Sequence, residues 1–386
     1  MAGLGNNWSL VEMGSMERSF ADPEYGSKKH ETGRELFLER MEGLMPWDKL
    51  PHLLALGLTG IVNMGLGWWQ PVFADHRPCT PPGTVLNVGF FADFRPVSYS
   101  ADPRPGSPEF HQHRGYEADL LDALEAMDGA GLTFSRRAIG DWPGIWLRAA
   151  EPEFDLVGGG ITILDSRTRN ATGDTVVTFT SGHIAFRQSL LVRAADVERF
   201  SSYDRLDGAA RIGALAGTTG EHRLLALTGL TRPDGRLAKG VHVETPRGLV
   251  VADGSDDWLI TASRRSPALA DRTKLSNPSA DKPEIIYGTD EMQLLAMVSD
   301  GSLDGIARGE IGNRDASHES GGRLAISVLD PAQELGGFAL DRGNTALAAC
   351  LSRKLDWLTD HRRIGYSQWR ADPEVFMKRA MGHPES

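Results

Sequence analysis

The sequence predicts an α/β protein with largely parallel sheets. Past residue 84, short β-branched and aromatic runs alternate with stretches of helical periodicity, which is the pattern of strand–helix–strand units. The chain also holds 44 Gly and 21 Pro, enough to punctuate many turns. Its apolar content of 40% is sufficient for a core, and 386 residues allow one large domain or two of ordinary size.

VLNVGFF (85–91) reads as a buried strand, and GYEADLLDALEAM (115–127) as a helix with Tyr116, Leu120, Leu124 and Met127 on one face. LTFSRRAI (132–139) is a strand, PGIWLRAA (143–150) a short helix, and FDLVGGGITI (154–163) a strand that runs into glycines. TVVTFTSG (175–182) and FRQSLLVRA (186–194) are further strands. ARIGALAG (210–217) is another, followed by the helix TTGEHRLLALTGL (218–230). Near the end come the helix DEMQLLAMVSDG (290–301), the strands SLDGIARG (302–309) and GGFALD (336–341), and a helix from Asn344 to about Thr359. Residues 231–283 are rich in Arg, Asp and Ser with weak periodicity, so they read as an insertion decorating one domain. No internal repeat at a fixed period is visible.

Charge and composition exclude several functions. The net charge is -11, with 35 Lys/Arg against 43 Asp/Glu after Ala74 and no basic run. Such a chain is poorly suited to nucleic acid, whose affinity comes largely from phosphate contacts. Two cysteines cannot build a four-thiolate zinc site. After export Cys79 and Cys350 could form one disulfide or remain as two thiols, and spacing does not decide between these. No phosphate loop or nucleophile elbow occurs, and no cofactor is implied. His111-Gln112-His113 reads as a solvated loop pair rather than a metal site.

The segment from Leu53 to Ala74 has the anatomy of a secretory signal: an uncharged apolar run, Pro71, then Val72-Phe73-Ala74 before Asp75. A cleaved signal, an uncleaved anchor and a buried helix are the three readings, and cleavage near Ala74 is the expectation. Yet residues 1–50 precede it. Within them, Phe20-Ala21, Lys28-Lys29, Arg34-Glu35, Phe37-Leu38, Met41 and Pro46-Trp47 stand in an order that resembles the extreme N-terminus of DDE-type insertion-sequence transposases. None of a transposase's acidic catalytic core follows, so that activity is not implied. The expectation is a fusion of a transposase start to an exported protein, with Met45 able to initiate a shorter product.

A second set of motifs runs through the exported part. Phe94-Arg95-Pro96-Val97-Ser98-Tyr99 is followed by Gly115-Tyr116-Glu117-Ala118-Asp119-Leu120, then Asp141-Trp142-Pro143-Gly144. Asp155 to Ile163 comes next, with Arg167 five residues beyond Thr162, then Gly217-Thr218-Thr219 and Leu303-Asp304-Gly305. In this order and spacing, from about Val85 to Met377, the chain resembles the extracellular solute-binding proteins of the polar amino acid ABC-uptake family (family 3). The resemblance implies the two-lobe periplasmic-binding-protein fold (type II), with the lobes joined by two crossing strands. Lobe 1 would comprise 84–187 plus 328–386, and lobe 2 would comprise 188–327. It also implies a periplasmic monomer that takes a small carboxylate-bearing ligand, an amino acid or a relative, and delivers it to an ABC permease in the inner membrane.

The same resemblance assigns a binding site. Arg167 would hold the ligand carboxylate; read from the residues alone, a guanidinium fork past a glycine-rich strand end suits that anion, while a surface pair with Asp165 is the competing reading. Thr162 and Thr219, beside Thr218, would donate hydroxyls to the same carboxylate. Phe94 and Trp142 would wall the side chain, with plain core as the alternative for each, and Gly160 would offer a carbonyl to an ammonium. The family's acid five residues after the Asp304 position is replaced here by Gly309, so either Glu310 takes over or the ligand lacks an α-ammonium. Periplasmic dehydratases acting on prephenate-like acids share the scaffold; for that alternative, Glu310 or His183 could supply the proton. An enzyme is not the expectation.

Overall fold

A computed structural model describes residues 78–382 apart from Ala280; the transposase-like leader, Met45 and the signal-like segment lie outside the described residues. In chain order the strands are β1 (Leu86–Phe91), β2 (Asp93–Phe94), β3 (Ser98–Ser100), β4 (His113–Arg114), β5 (Phe134–Ile139), β6 (Leu156–Gly158), β7 (Val177–Phe179) and β8 (Ile184–Arg193). They continue as β9 (Arg211–Ala214), β10 (His242–Thr245), β11 (Gly248–Val251), β12 (Lys274–Ser276), β13 (Glu284–Tyr287), β14 (Gly305–Gly309), β15 (Leu324–Gly336) and β16 (Ala339–Asp341). The helices are α1 (Tyr116–Ala126), α2 (Thr219–Leu227), α3 (Glu291–Asp300), α4 (Glu310–Glu319), α5 (Thr345–Leu358), α6 (Tyr366–Ala371) and α7 (Val375–Met381).

Two large sheets organise the two lobes, and β2, β3 and β4 form a small third sheet. The first has the order β5-β1-β6-β16-β7, with β1 parallel to β5 and β6, and β16 antiparallel between β6 and β7. The second has the order β11-β10-β12-β13-β9-β14-β8-β15. Its core repeats the same scheme: β9 lies parallel to β13 and β14, and β8 runs antiparallel beside β14. Leaving the inserted β10 to β12 aside, each half therefore places its second, first and third parallel strands side by side, followed by an antiparallel strand reached just after the chain crosses between lobes. This internal likeness is one of topology and was not visible as a repeat in the sequence.

The lobes are joined by β8 and β15. Their antiparallel register runs from Ile184 opposite Gly336 at the first lobe to Arg193 opposite Leu324 at the second, with shifts between Ile326 and Val328 and between Leu329 and Gln333. Separate apolar clusters fill the two halves. Val88, Leu120, Leu124, Leu156, Phe338 and Leu351 belong to one, and Leu190, Ile212, Leu224, Leu275 and Ile285 to another. Each such side chain, fully buried, contributes roughly 1.5–3 kcal/mol to folding.

Several expectations need correction. The 231–283 segment does more than decorate a lobe: β10, β11 and β12 pair antiparallel with one another, and β12 continues onto β13, so they extend the second sheet. The helix α4, the long strand β15 and the closing helices α6 and α7 were not anticipated. His111 and His113 are not a solvated pair, since His113 is buried, stacks on Phe90 with ring centroids 4.0 Å apart, and meets Ser98 Oγ at 2.9 Å. His111 Nδ1 accepts the Ala138 N–H at 3.1 Å. Cys79 and Cys350 form a disulfide that ties the Pro-rich lead-in to α5. Among the described residues, no helix is long and apolar enough to cross a membrane.

Candidate functional site

A cavity opens between the lobes, with about 570 Å³ of atom-free space when its solvent-open mouth is included. It lies beyond the carboxyl ends of β1, β6, β9 and β14, where open α/β sheets place their ligands. Phe94, Trp142, Gly160 and Thr162 line it from the first lobe. Thr218, Thr219 and Gly220 line it from the start of α2, Arg308 and Gly309 from the end of β14, and Glu291 from the start of α3. Phe186 and Gln188 of the crossing strand β8 complete the wall.

Local structure explains how each group arrives there. At Gly159 and Gly160 the φ angles are 138° and 66°, which end β6 sharply. The turn is held by Glu117, fully buried on α1, whose two carboxylate oxygens accept the Gly159 N–H at 2.7 Å and the Gly160 N–H at 2.9 Å. A Cβ on Gly160 would stand 2.5 Å from the Phe94 ring, so glycine lets the aromatic close over the turn. The second lobe presents a capped helix start. Thr218 Oγ1 accepts the Glu221 N–H at 3.1 Å and donates to Leu215 O at 2.9 Å, while Glu221 Oε2 accepts the Gly217 N–H at 2.6 Å. The Thr218 hydroxyl is thus committed to the cap, although the residue lines the cavity.

Phe94 and Trp142 both line the cavity. Trp142 also spans the lobes, its indole N–H donating to Gly217 O at 3.1 Å. Thr162 and Thr219 approach each other across the cleft, Oγ1 to Oγ1, at 3.4 Å.

Arg167 requires a correction. It is fully buried and does not line the cavity, because Trp142 and Trp146 stand against it, with its guanidinium carbon 5.7 Å and 4.3 Å from their ring centroids. Its N–H groups go to main-chain carbonyls: Nε and Nη2 to Ala262 at 3.4 and 3.1 Å, and Nη1 to Thr162 at 3.2 Å. Burial pulls its pKa down to about 9, with the Glu334 carboxylate acting in the other direction. Neither Asp165 nor a ligand position is its partner. It fastens the first lobe to the 261–264 turn of the inserted segment, where Ser166 also meets Ser263 at 2.7 Å and Arg264 donates to Ala171 O at 3.2 Å.

Glu310 is corrected as well. It opens α4 with its carboxylate turned away, accepting from Arg187 Nε at 3.2 Å and from Arg314 Nε at 2.7 Å, outside the cavity. Gly309, one residue earlier, is the position that faces the ligand space. His183 is a core residue, its Nε2 3.0 Å from Glu117 Oε1 and its ring against Phe338.

The charges that do line the cavity are Arg308 and Glu291. Arg308 Nη1 donates to Glu291 Oε2, Nη2 to Gly312 O, and Nε to Asn313 Oδ1 at 2.7 Å. One N–H remains on each terminal nitrogen. Burial drives the Glu291 carboxyl up to about 7 despite the Arg308 guanidinium beside it, with the Asp93 and Asp290 charges adding to the rise. A carboxyl whose folded-state pKa exceeds its unfolded value stabilises the protein below the unfolded pKa, and that stability fades as pH rises through the folded one. From 4.5 to about 7, the span corresponds to about 3 kcal/mol. Urea unfolding at several pH values should show this decline, and Glu291→Gln should remove it; an identical slope in the variant would refute the assignment.

No family model matches the chain, and no curated protein does. Among solved structures it is similar to an ancestral amino acid-binding protein described as a precursor of cyclohexadienyl dehydratase, at 17% identity and TM-score 0.48 over 77% of this chain and 94% of that one. It is also similar to holo ArgBP from T. maritima, at 16% identity and TM-score 0.46 over 71% and 90%. A third is an amino acid ABC transporter substrate-binding protein from Streptococcus pneumoniae bound to L-arginine, at 16% identity and TM-score 0.48 over 77% and 94%. The strand order described above, rather than these likenesses, carries the fold.

Proposed function

We propose that the chain is an exported solute receptor that closes its two lobes over a small amino acid, or a related carboxylate-bearing solute, and passes it to an ABC permease. The observation that supports this reading most is the interlobe cavity, with aromatic walls and one buried charge of each sign. Arg308 offers N–H groups to a carboxylate, and Glu291 offers an acceptor to an ammonium, in a space too desolvated to leave either group of the ligand unpaired. Closure follows from differential contact, because a ligand touching Phe94 on one lobe and Arg308 on the other is fully satisfied only when the lobes meet.

A thermal-shift screen of the full chain against amino acids, their amine-free analogues and dicarboxylates tests this. A ligand at a hundred times its Kd adds about 2.7 kcal/mol, which is a shift of several degrees. At least one amino acid should produce it; silence across the panel would overturn the reading. One observation favours a second reading, a dehydratase for a prephenate-like acid. Glu291, with its carboxyl near 7, is poised to give a proton inside the cavity, whereas Glu310 and His183 lie outside it. Consumption of prephenate by the purified chain would move the assignment to the enzyme.

A further inference from the structure

The outer edge of the second sheet is open. β11 ends that sheet, with β10 as its one neighbour. Leu249, Val250 and Val251 are consecutive there and 56%, 43% and 52% exposed. The other exposed large apolar side chains of the described residues, Val85, Met292 and Met381, stand singly. Scattered surface apolar residues are normal, but an edge strand is ordinarily blunted by a charge, a proline or a bulge. Gly248 to Val251 carries none of these.

The ladder to β10 fixes which groups point outward. Thr245 pairs with Gly248 across the turn, Val243 pairs with Val250, and just beyond the strand the Ala252 N–H reaches Val241 O at 2.8 Å. Main-chain groups alternate sides along a strand, so Gly248, Val250 and Ala252 turn theirs inward. The N–H and C=O of Leu249 and Val251 therefore point away from β10, and none of them hydrogen-bonds to a described residue.

We propose that this edge pairs with the same edge of a second copy of the chain, antiparallel about a two-fold axis at Val250. In that register Leu249 exchanges both main-chain bonds with the partner's Val251, and Val250 lies beside the partner's Val250. Arg247 then stands opposite the partner's Asp253, and Asp253 opposite the partner's Arg247; both residues are exposed in the single chain. Moving the axis to Leu249 would set Arg247 against the partner's Val251. Moving it to Val251 would set Asp253 against the partner's Leu249. Only the axis at Val250 matches main-chain groups, apolar side chains and both charges. Arg247 meets Asp271 at 3.1 Å within the chain, an exposed ion pair that is cheaply exchanged. The proposal departs from the monomer implied by the family resemblance. It does not depend on the receptor reading, because no residue of β10 to β12 lines the cavity and the crossing strands stand at the other end of the sheet order.

Such a contact is smaller than a standard interface of about 1,200–2,000 Å², so a dissociation constant of about 10–300 μM is expected. Sedimentation velocity of the full chain across that range should show a reversible shift from one copy to two. Val250→Lys sets two ammonium groups face to face at the axis and should leave a monomer with an unchanged circular dichroism spectrum. Arg247→Asp or Asp253→Arg alone sets like charges opposite each other at both symmetric positions and should weaken pairing about tenfold. The two together should restore it to within about threefold of the unaltered chain. A monomer at every concentration would overturn the proposal, as would a dimer that survives Val250→Lys or a double swap no tighter than either single variant. Should Val250→Lys fold poorly, the swap decides alone. Protection of the Leu249 and Val251 amides from hydrogen exchange in a monomer would assign the edge to a segment of the same chain, which would overturn it too.

Discussion

Replacing Arg308 with methionine should abolish solute binding and lower stability by about 3–5 kcal/mol. Arg308 is 7% exposed and its side chain joins three partners, Glu291, Asn313 and Gly312. Asn313 in turn donates to Ser189 Oγ at 2.8 Å, so the guanidinium anchors a polar network between β14, α4 and β8. Truncation leaves the Glu291 carboxyl buried beside apolar surface, the costly way to break a buried pair. Replacing both, as Arg308→Met with Glu291→Leu, should return much of the stability without returning binding. Chemical denaturation and calorimetry on the two variants separate the two effects. A single variant that binds as tightly as the parent would remove Arg308 from the site.

Arg167→Met should loosen the closed arrangement and weaken every ligand by a similar factor of about ten, because Arg167 contacts the opposite lobe and not the ligand. Its loss leaves the Ala262 and Thr162 carbonyls buried and unpaired, a penalty of about 1–3 kcal/mol each in a site already dry. Only the Ala262 bond crosses between lobes, so part of that penalty bears on closure and part on the first lobe. Two readouts follow: a larger radius of gyration in solution scattering with ligand present, and faster tryptic cleavage at the exposed Arg264 and Arg265 of the 261–264 turn region. Selective loss of carboxylate ligands, with uncharged ones unaffected, would instead restore Arg167 as a ligand clamp.

How much of this was legible in the sequence depended on the kind of signal. β1, β5, β8, β9 and β14 announce themselves as β-branched or apolar runs, and α2 and α3 carry their caps in plain view, Thr218 with Glu221 and Asp290 with Gly301. The helix α4, EIGNRDASHE, gave no such sign, since few of its buried positions are apolar. β15 was hidden by Asp330 and Pro331, which the register shift between Leu329 and Gln333 absorbs without ending the ladder. In the inserted segment, β10 to β12 are short and mixed in polarity, so their pairing partners, not their composition, make them strands.

The site was half readable for a related reason. Phe94, Trp142, Gly160, Thr162 and Thr219 sit at motif positions fixed by tight backbone turns, and the cavity does gather them. Arg167 follows its motif but is covered by Trp142 and Trp146, which sequence spacing cannot show. Arg308 and Glu291 become neighbours only through the fold, with β14 and α3 brought together in the second lobe. A charge inside the otherwise apolar GIARG strand was the available clue to Arg308, and a carboxylate directly after the Asp290 cap was the clue to Glu291.

The central claim, that a small solute is held between the lobes in this cavity, is tested most directly by hydrogen exchange on the full chain with and without a saturating ligand from the screen. Protection is expected in both lobes at once, in peptides covering residues 158–163, 215–221 and 305–310. Protection confined to one lobe, or lying away from these three segments, would contradict it.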